Sequence, residues 1–167
     1  MPALRRARPA LLVSAPVVAL DQVVKALVTA SLELYETVEI IPGFFNLTRV
    51  HNYGAAFGLM SGANFPFKTV VLSIVAAVAL AALALYAAKL PADQRFARFG
   101  LALIVGGAAG NLIDRLGSGY VVDFVDVYWG NWHFWAFNVA DAAITVGVAF
   151  MILDLFNVRT SDVSRAI

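Results

Sequence analysis

The sequence predicts an all-α membrane protein: four transmembrane helices with a small β-rich element outside the bilayer. Three observations carry that expectation. The 167 residues are 61% hydrophobic and 14% charged, with a mean hydropathy of +0.80, whereas soluble domains average about 45–50% and about 25%. Four stretches reach the roughly 20 apolar residues that a helix needs to cross the hydrocarbon core. They are residues 10–30, 67–88, 96–116 and 135–156. Between the first two, residues 37–41 and 44–51 are rich in β-formers and flank the turn pair Pro42-Gly43. A hairpin-like sheet over about residues 36–53 follows, and the whole chain, 1–167, reads as one integral membrane domain.

The first span follows Arg5, Arg6 and Arg8, as a signal peptide would. Asp21 and Lys25 then continue the helix where a cleavage site would belong, so the span is expected to be retained. Lys89, Arg95 and Arg98 separate spans two and three, and Arg159 and Arg165 follow span four. The opposite loops hold Arg49 and Lys68 against Glu33, Glu36 and Glu39. The positive-inside rule therefore places both termini in the cytoplasm. The net charge of +1 leaves no nucleic-acid footprint. The absence of cysteine removes disulfides, thiolate nucleophiles and cysteine metal sites. His51 and His133 have no metal-ligand spacing.

With that orientation, the polar residues of the spans fall together. Asp21 and Lys25, then Asn111, Asp114 and Arg115, lie late in the outward-running spans one and three. Asn138 and Asp141 lie at the start of the inward-running span four, and Asp123 sits in the outer loop before it. All land near the outer leaflet, which independent scatter would not readily produce. One polar site at the outer membrane–water boundary is expected. Ionisable groups at membrane depth are costly and usually functional. Two carboxylates at one rim, Asp123 and Asp141, can share a proton and divide acid and base roles.

Other residues leave two readings open. Asp21 and Lys25, four apart with the acid first, make either a structural ion pair or a support for the site. Arg115 shares a face with Asn111 and either clamps a carboxylate or headgroup, or snorkels to the interface. Asp114 reads as an orienting acid and Asp126 as a solvated loop acid. Gly106 and Gly110 have the small-x-x-x-small spacing of close helix packing, whereas Gly107 leaves room for a group bound beside Asn111. Gly54 and Gly58, in Asn52-Tyr53-Gly54-Ala55-Ala56-Phe57-Gly58, form either a turn or a substrate-lining loop. Tyr128, Trp129, Trp132, Phe134 and Trp135 read as an interfacial aromatic belt.

Five blocks, in order, resemble the bacterial lipoprotein signal peptidase (signal peptidase II) family. They are Asp21-Gln22-Val23-Val24-Lys25, Asn52 through Gly58, Gly106 through Arg115, Val121-Val122-Asp123-Phe124 and Phe137-Asn138-Val139-Ala140-Asp141. The resemblance implies a cofactor-free aspartic endopeptidase of the inner membrane with its active site near the periplasmic face. Its substrate would be a prolipoprotein whose cysteine carries diacylglycerol, cut just before that cysteine. It further implies Asp123 and Asp141 as the dyad and Asn52, Gly54, Asn111, Arg115 and Asn138 as pocket residues. Asp21 and Lys25 are implied as supports, and the cyclic peptide globomycin as an inhibitor. The alternative is a proton- or solute-coupled carrier using the same acids as a relay. It is disfavoured because there is no internal repeat and the inner halves of the spans offer little polar path beyond Asp154.

Overall fold

The computed structural model describes residues 2–54, 67–91 and 93–165. Four helices are long and apolar enough to cross a membrane: Ala10–Ser31 within α1 (Pro2–Ser31), α2 (Lys68–Lys89), α3 (Arg95–Gly117) and Val139–Phe156 within α4 (Val139–Arg165). The chain is a multi-pass membrane protein. α3 is the central helix and packs against α1, α2 and α4. Most of the outward surface of α2 is exposed valine, isoleucine, leucine and tyrosine, the surface that lipid requires.

Glycine lets the helices approach. A Cβ at Gly106 would meet the backbone of Ser14 and the side chain of Val17 in α1. One at Gly107 would overlap the Ala140 carbonyl oxygen and Ile144 in α4. Gly107 therefore sets the α3–α4 approach, which corrects the expectation that it leaves room for a bound group. Gly100 and Gly147 oppose each other farther along the same contact.

The hairpin expected over residues 36–53 is present and belongs to a larger antiparallel sheet. β1 (Thr37–Ile41) pairs with β2 (Phe45–Asn52) across a turn in which Gly43 takes a positive φ of 75°. β2 pairs with β3 (Val121–Trp129), and β3 with the short β4 (Trp132–His133). The stretch around Asp123 is thus a strand, not a loop. One face of the sheet packs on α1, with Val28, Leu32 and Phe124 buried together.

The fourth helix starts at Val139, four residues later than expected. Phe137 remains extended because its backbone is committed to β3. Its N–H donates to the Val125 carbonyl at 3.1 Å, and its carbonyl accepts from the N–H groups of Phe124 and Val125 at 3.0 and 2.8 Å. The sheet therefore hands the chain to α4 beside the C-terminal ends of α1 and α3.

Candidate active site

The first turn of α4 is the frame of the site. Asn138 precedes the helix, and its Oδ1 accepts from the Asp141 N–H at 3.0 Å. In return Asp141 Oδ2 accepts from the Asn138 N–H at 3.3 Å. This reciprocal pair is a capping box, which satisfies two N–H groups that a helix start leaves without partners. A third side chain arrives from α1: Asp21 Oδ1 accepts from the Ala140 N–H at 2.9 Å.

Asp123 lies across from this turn on β3 and is 2% exposed. Its Oδ1 accepts from Asn138 Nδ2 at 2.7 Å and its Oδ2 from Asn52 Nδ2 at 2.9 Å. The other oxygen of Asp141, Oδ1, accepts from Asn111 Nδ2 at 2.8 Å. Asn138 thus touches both acids, one through its amide and the other through its backbone. Burial raises the Asp123 pKa to about 7, the nearby charge of Asp141 adds to the rise, and the Asn52 and Asn138 donors and Lys25 oppose it. At neutral pH Asp123 therefore sits near the midpoint of its own titration, and because the charge of Asp141 acts on it the two acids titrate as a coupled pair.

Behind the acids is a buried polar cluster at 4% exposure or less for Lys25 and Asp21. Lys25 Nζ reaches Asp21 Oδ2 at 2.7 Å, Asp114 Oδ2 at 2.8 Å and Asn111 Oδ1 at 2.9 Å. Asp114 also accepts from the Val122 N–H on β3 at 3.4 Å. Arg115 donates to the carbonyls of Gly54 and Asn111 at 3.0 and 3.3 Å, and the Gly54 N–H donates to Asn52 Oδ1 at 2.8 Å. The residues singled out in the sequence (Asp21, Lys25, Asn52, Gly54, Asn111, Asp114, Arg115, Asp123, Asn138 and Asp141) form one connected network. Arg115 is engaged with backbone carbonyls rather than clamping a carboxylate.

Two residues read differently in three dimensions. Asp126 is not a solvated loop acid: it lies on β3, accepts from Asn46 Nδ2 at 2.9 Å and pairs with His133 Nδ1 at 2.9 Å. Gln22 was missed. Its Nε2 donates to Asp114 Oδ1 at 2.8 Å and to Asp21 Oδ2 at 3.2 Å, linking α1 to α3. An amide beside Asp21 in an otherwise apolar helix was the available signal. Ala55, Ala56, Phe57 and Gly58 lie outside the described residues.

The membrane helix bundle holds two carboxyls at one end, each by amide donors, an arrangement able to carry acid–base chemistry. The signal peptidase (SPase) II family model matches residues 13–157, so the chain belongs to the signal peptidase II family. It is an aspartic peptidase. It is 48% identical over 144 residues to the lipoprotein signal peptidase of Geobacter metallireducens, covering 86% of this chain and 88% of that one. To the lipoprotein signal peptidase of Desulforapulum autotrophicum it is 49% identical over 148 residues, covering 87% and 91%. A solved bacterial membrane enzyme structure superposes with a TM-score of 0.78 at 33% identity, over 89% of this chain and 88% of that one. The carrier alternative has no support among these matches.

Proposed function

We propose that this peptidase, which removes signal peptides from prolipoproteins, cuts with Asp123 and Asp141 as its catalytic pair. The observation that carries the reading is the set of amide donors that fixes both carboxyls around Asn138. Peptide hydrolysis without a side-chain nucleophile needs an activated water and a proton for the carbonyl oxygen. One ionised carboxylate takes a proton from the water, and the protonated partner donates to the scissile carbonyl. The gem-diol intermediate then collapses, with the departing amine taking a proton from the pair. Asn52, Asn111 and Asn138 hold the carboxyls, Arg115 and Gly54 line the approach, and Asp21, Lys25 and Asp114 brace the helices.

The substrate class follows from the location. The acids sit where α1, α3 and α4 meet the sheet, so the scissile bond is presented at the membrane surface. A cysteine carrying diacylglycerol keeps its acyl chains in the leaflet and brings the preceding bond there by lateral diffusion. With Arg5, Arg6, Arg8, Lys89, Arg95 and Arg98 on the opposite side, both termini are cytoplasmic and the site faces the periplasm of the inner membrane. In this reading globomycin, a cyclic peptide, binds at the same site. The test is cleavage of purified diacylglyceryl precursor by Asp123→Asn and Asp141→Asn. Each inserts normally and loses activity by about two orders of magnitude or more; full cleavage by either variant rejects the pair.

A further inference from the structure

We infer that Lys25 is a positioning residue that sets which way round the Asn111 amide sits, so that the N–H and not the carbonyl of Asn111 meets Asp141. The inference rests on the assignment of Asp141 to the catalytic pair. An amide can turn over about its terminal bond, exchanging donor and acceptor. At Asn111 the two ends have opposite consequences. With Nδ2 toward Asp141, the acid oxygen receives a donor at 2.8 Å. Turned over, a carbonyl oxygen faces that oxygen, and two acceptors oppose each other unless Asp141 holds the proton.

Lys25 decides between them. Its Nζ lies 2.9 Å from Asn111 Oδ1 and offers donors only. A turned amide would set its N–H groups against those donors. The lysine is itself fixed by Asp21 Oδ2 at 2.7 Å and Asp114 Oδ2 at 2.8 Å, so it cannot withdraw without abandoning two buried carboxylates. Asn138 Nδ2 also approaches Asn111 Oδ1, at 3.2 Å, but the same nitrogen serves Asp123 Oδ1 at 2.7 Å and the Val122 carbonyl at 3.4 Å. A two-hydrogen amide shared three ways is the weaker constraint, and the charge-assisted contact is the stronger one. Asn138 needs no such guard, because its own Oδ1 is held by the Asp141 N–H at 3.0 Å. Lys25 thus touches neither acid, yet it determines the polarity of the amide that holds one of them.

The test is a double-mutant cycle on the full chain, measuring cleavage of a diacylglyceryl precursor by Lys25→Met, Asn111→Leu and the double variant. Lys25→Met alone lowers kcat by roughly 10- to 100-fold, the usual cost of losing an outer partner that orients an active-site group, with KM little changed. In the Asn111→Leu background there is no amide to orient, so adding Lys25→Met costs several-fold less than it does in the parent, and only the loss of its charge near Asp123 remains. Losses that multiply in the double variant, or a Lys25→Met enzyme cleaving at the parental rate, overturn the inference. Where Lys25→Met does not fold, the same cycle is run with Asp114→Asn in every member, which removes one of the two acids the lysine neutralises. Asp141→Asn, assayed alongside, separates the failures. Retained cleavage there rejects the catalytic pair itself, whereas lost cleavage with a multiplicative cycle rejects only the role of Lys25.

Discussion

Replacing Asn138 tests how the site holds its proton. The Asn138 amide donates to Asp123 Oδ1 at 2.7 Å and favours the ionised form, opposing the burial that lifts this acid to about 7. A hydrogen bond to a charged group contributes about 1.5–3 kcal/mol, and one pKa unit corresponds to about 1.4 kcal/mol. Removing the donor should therefore raise the proton affinity of the pair by about one to two pH units. With Asp123 pushed up to about 7, the alkaline limb of kcat/KM is expected near that value in the parent and about one to two units higher in Asn138→Ala. Asn138 also caps α4 through Oδ1, so alanine costs a further ~1 kcal/mol of helix stability. Asn138→Ser separates the two roles, because serine caps as well as asparagine does but leaves Asp123 without that amide. The assay is cleavage of a diacylglyceryl precursor in detergent micelles across the pH range, beside thermal unfolding of each variant. Serine should melt above alanine by the worth of the cap, about 1 kcal/mol, and show the same displaced limb. An alkaline limb that stays in place in both variants, or moves down, refutes the reasoning.

Three further outcomes follow from the same geometry. Native Asp123 keeps its proton to about 7 and an unfolded aspartate only to about 3.9, so folding binds a proton between those values and stability falls as pH rises through that window. Asp123→Asn abolishes this dependence, and identical pH profiles of the thermal midpoint in parent and variant would exclude it. His51 has the opposite sign: burial, then Arg49, depress its pKa, its Nε2 is buried with no hydrogen-bond partner among the described residues, and its ring stacks on Tyr120 at 3.7 Å. Stability at His51 is present above about 6.5 and lost as pH falls; His51→Phe should keep the stack and flatten that loss, seen in acid thermal melts. Gly107→Ala forces a methyl group into the Ala140 carbonyl oxygen. Its cost of about 1–3 kcal/mol should appear as a lowered melting midpoint with reduced cleavage, and a fully stable alanine variant would contradict the close α3–α4 approach.

The spans were legible because bilayer thickness imposes a length on apolar runs, and the acids were legible because that environment excludes charge. The start of α4 was not. Trp135, Ala136 and Phe137 are apolar enough to extend a span, and only the hydrogen bonds of Phe137 to β3 show that the chain is still extended there. The sequence places Asp123 in an outer loop, although the valines and aromatics of β3 are strong β-formers. Its pairing with β2 joins residues some seventy positions apart (Asn52 with Val121, Val50 with Asp123), which no local pattern announces. Gln22 failed to stand out for the same reason, since its partner Asp114 is 92 positions away on another helix.

A helix that begins at the edge of a membrane has N–H groups that lipid cannot satisfy. In this protein Asn138, Asp141 and Asp21 accept from them. The groups required to start α4 are therefore part of the network that carries the candidate chemistry. Asp141 is at once the acid of the capping box and a member of the pair, and Asn138 is at once the cap and the donor to Asp123. Such economy explains why the polar residues of α1, α3 and α4 converge on one end of the bundle. It also imposes a constraint: a change that removes activity by emptying the cap must also loosen the helix, whereas Asp123 lies outside the cap, so a substitution of this member of the proposed pair leaves the start of α4 in place.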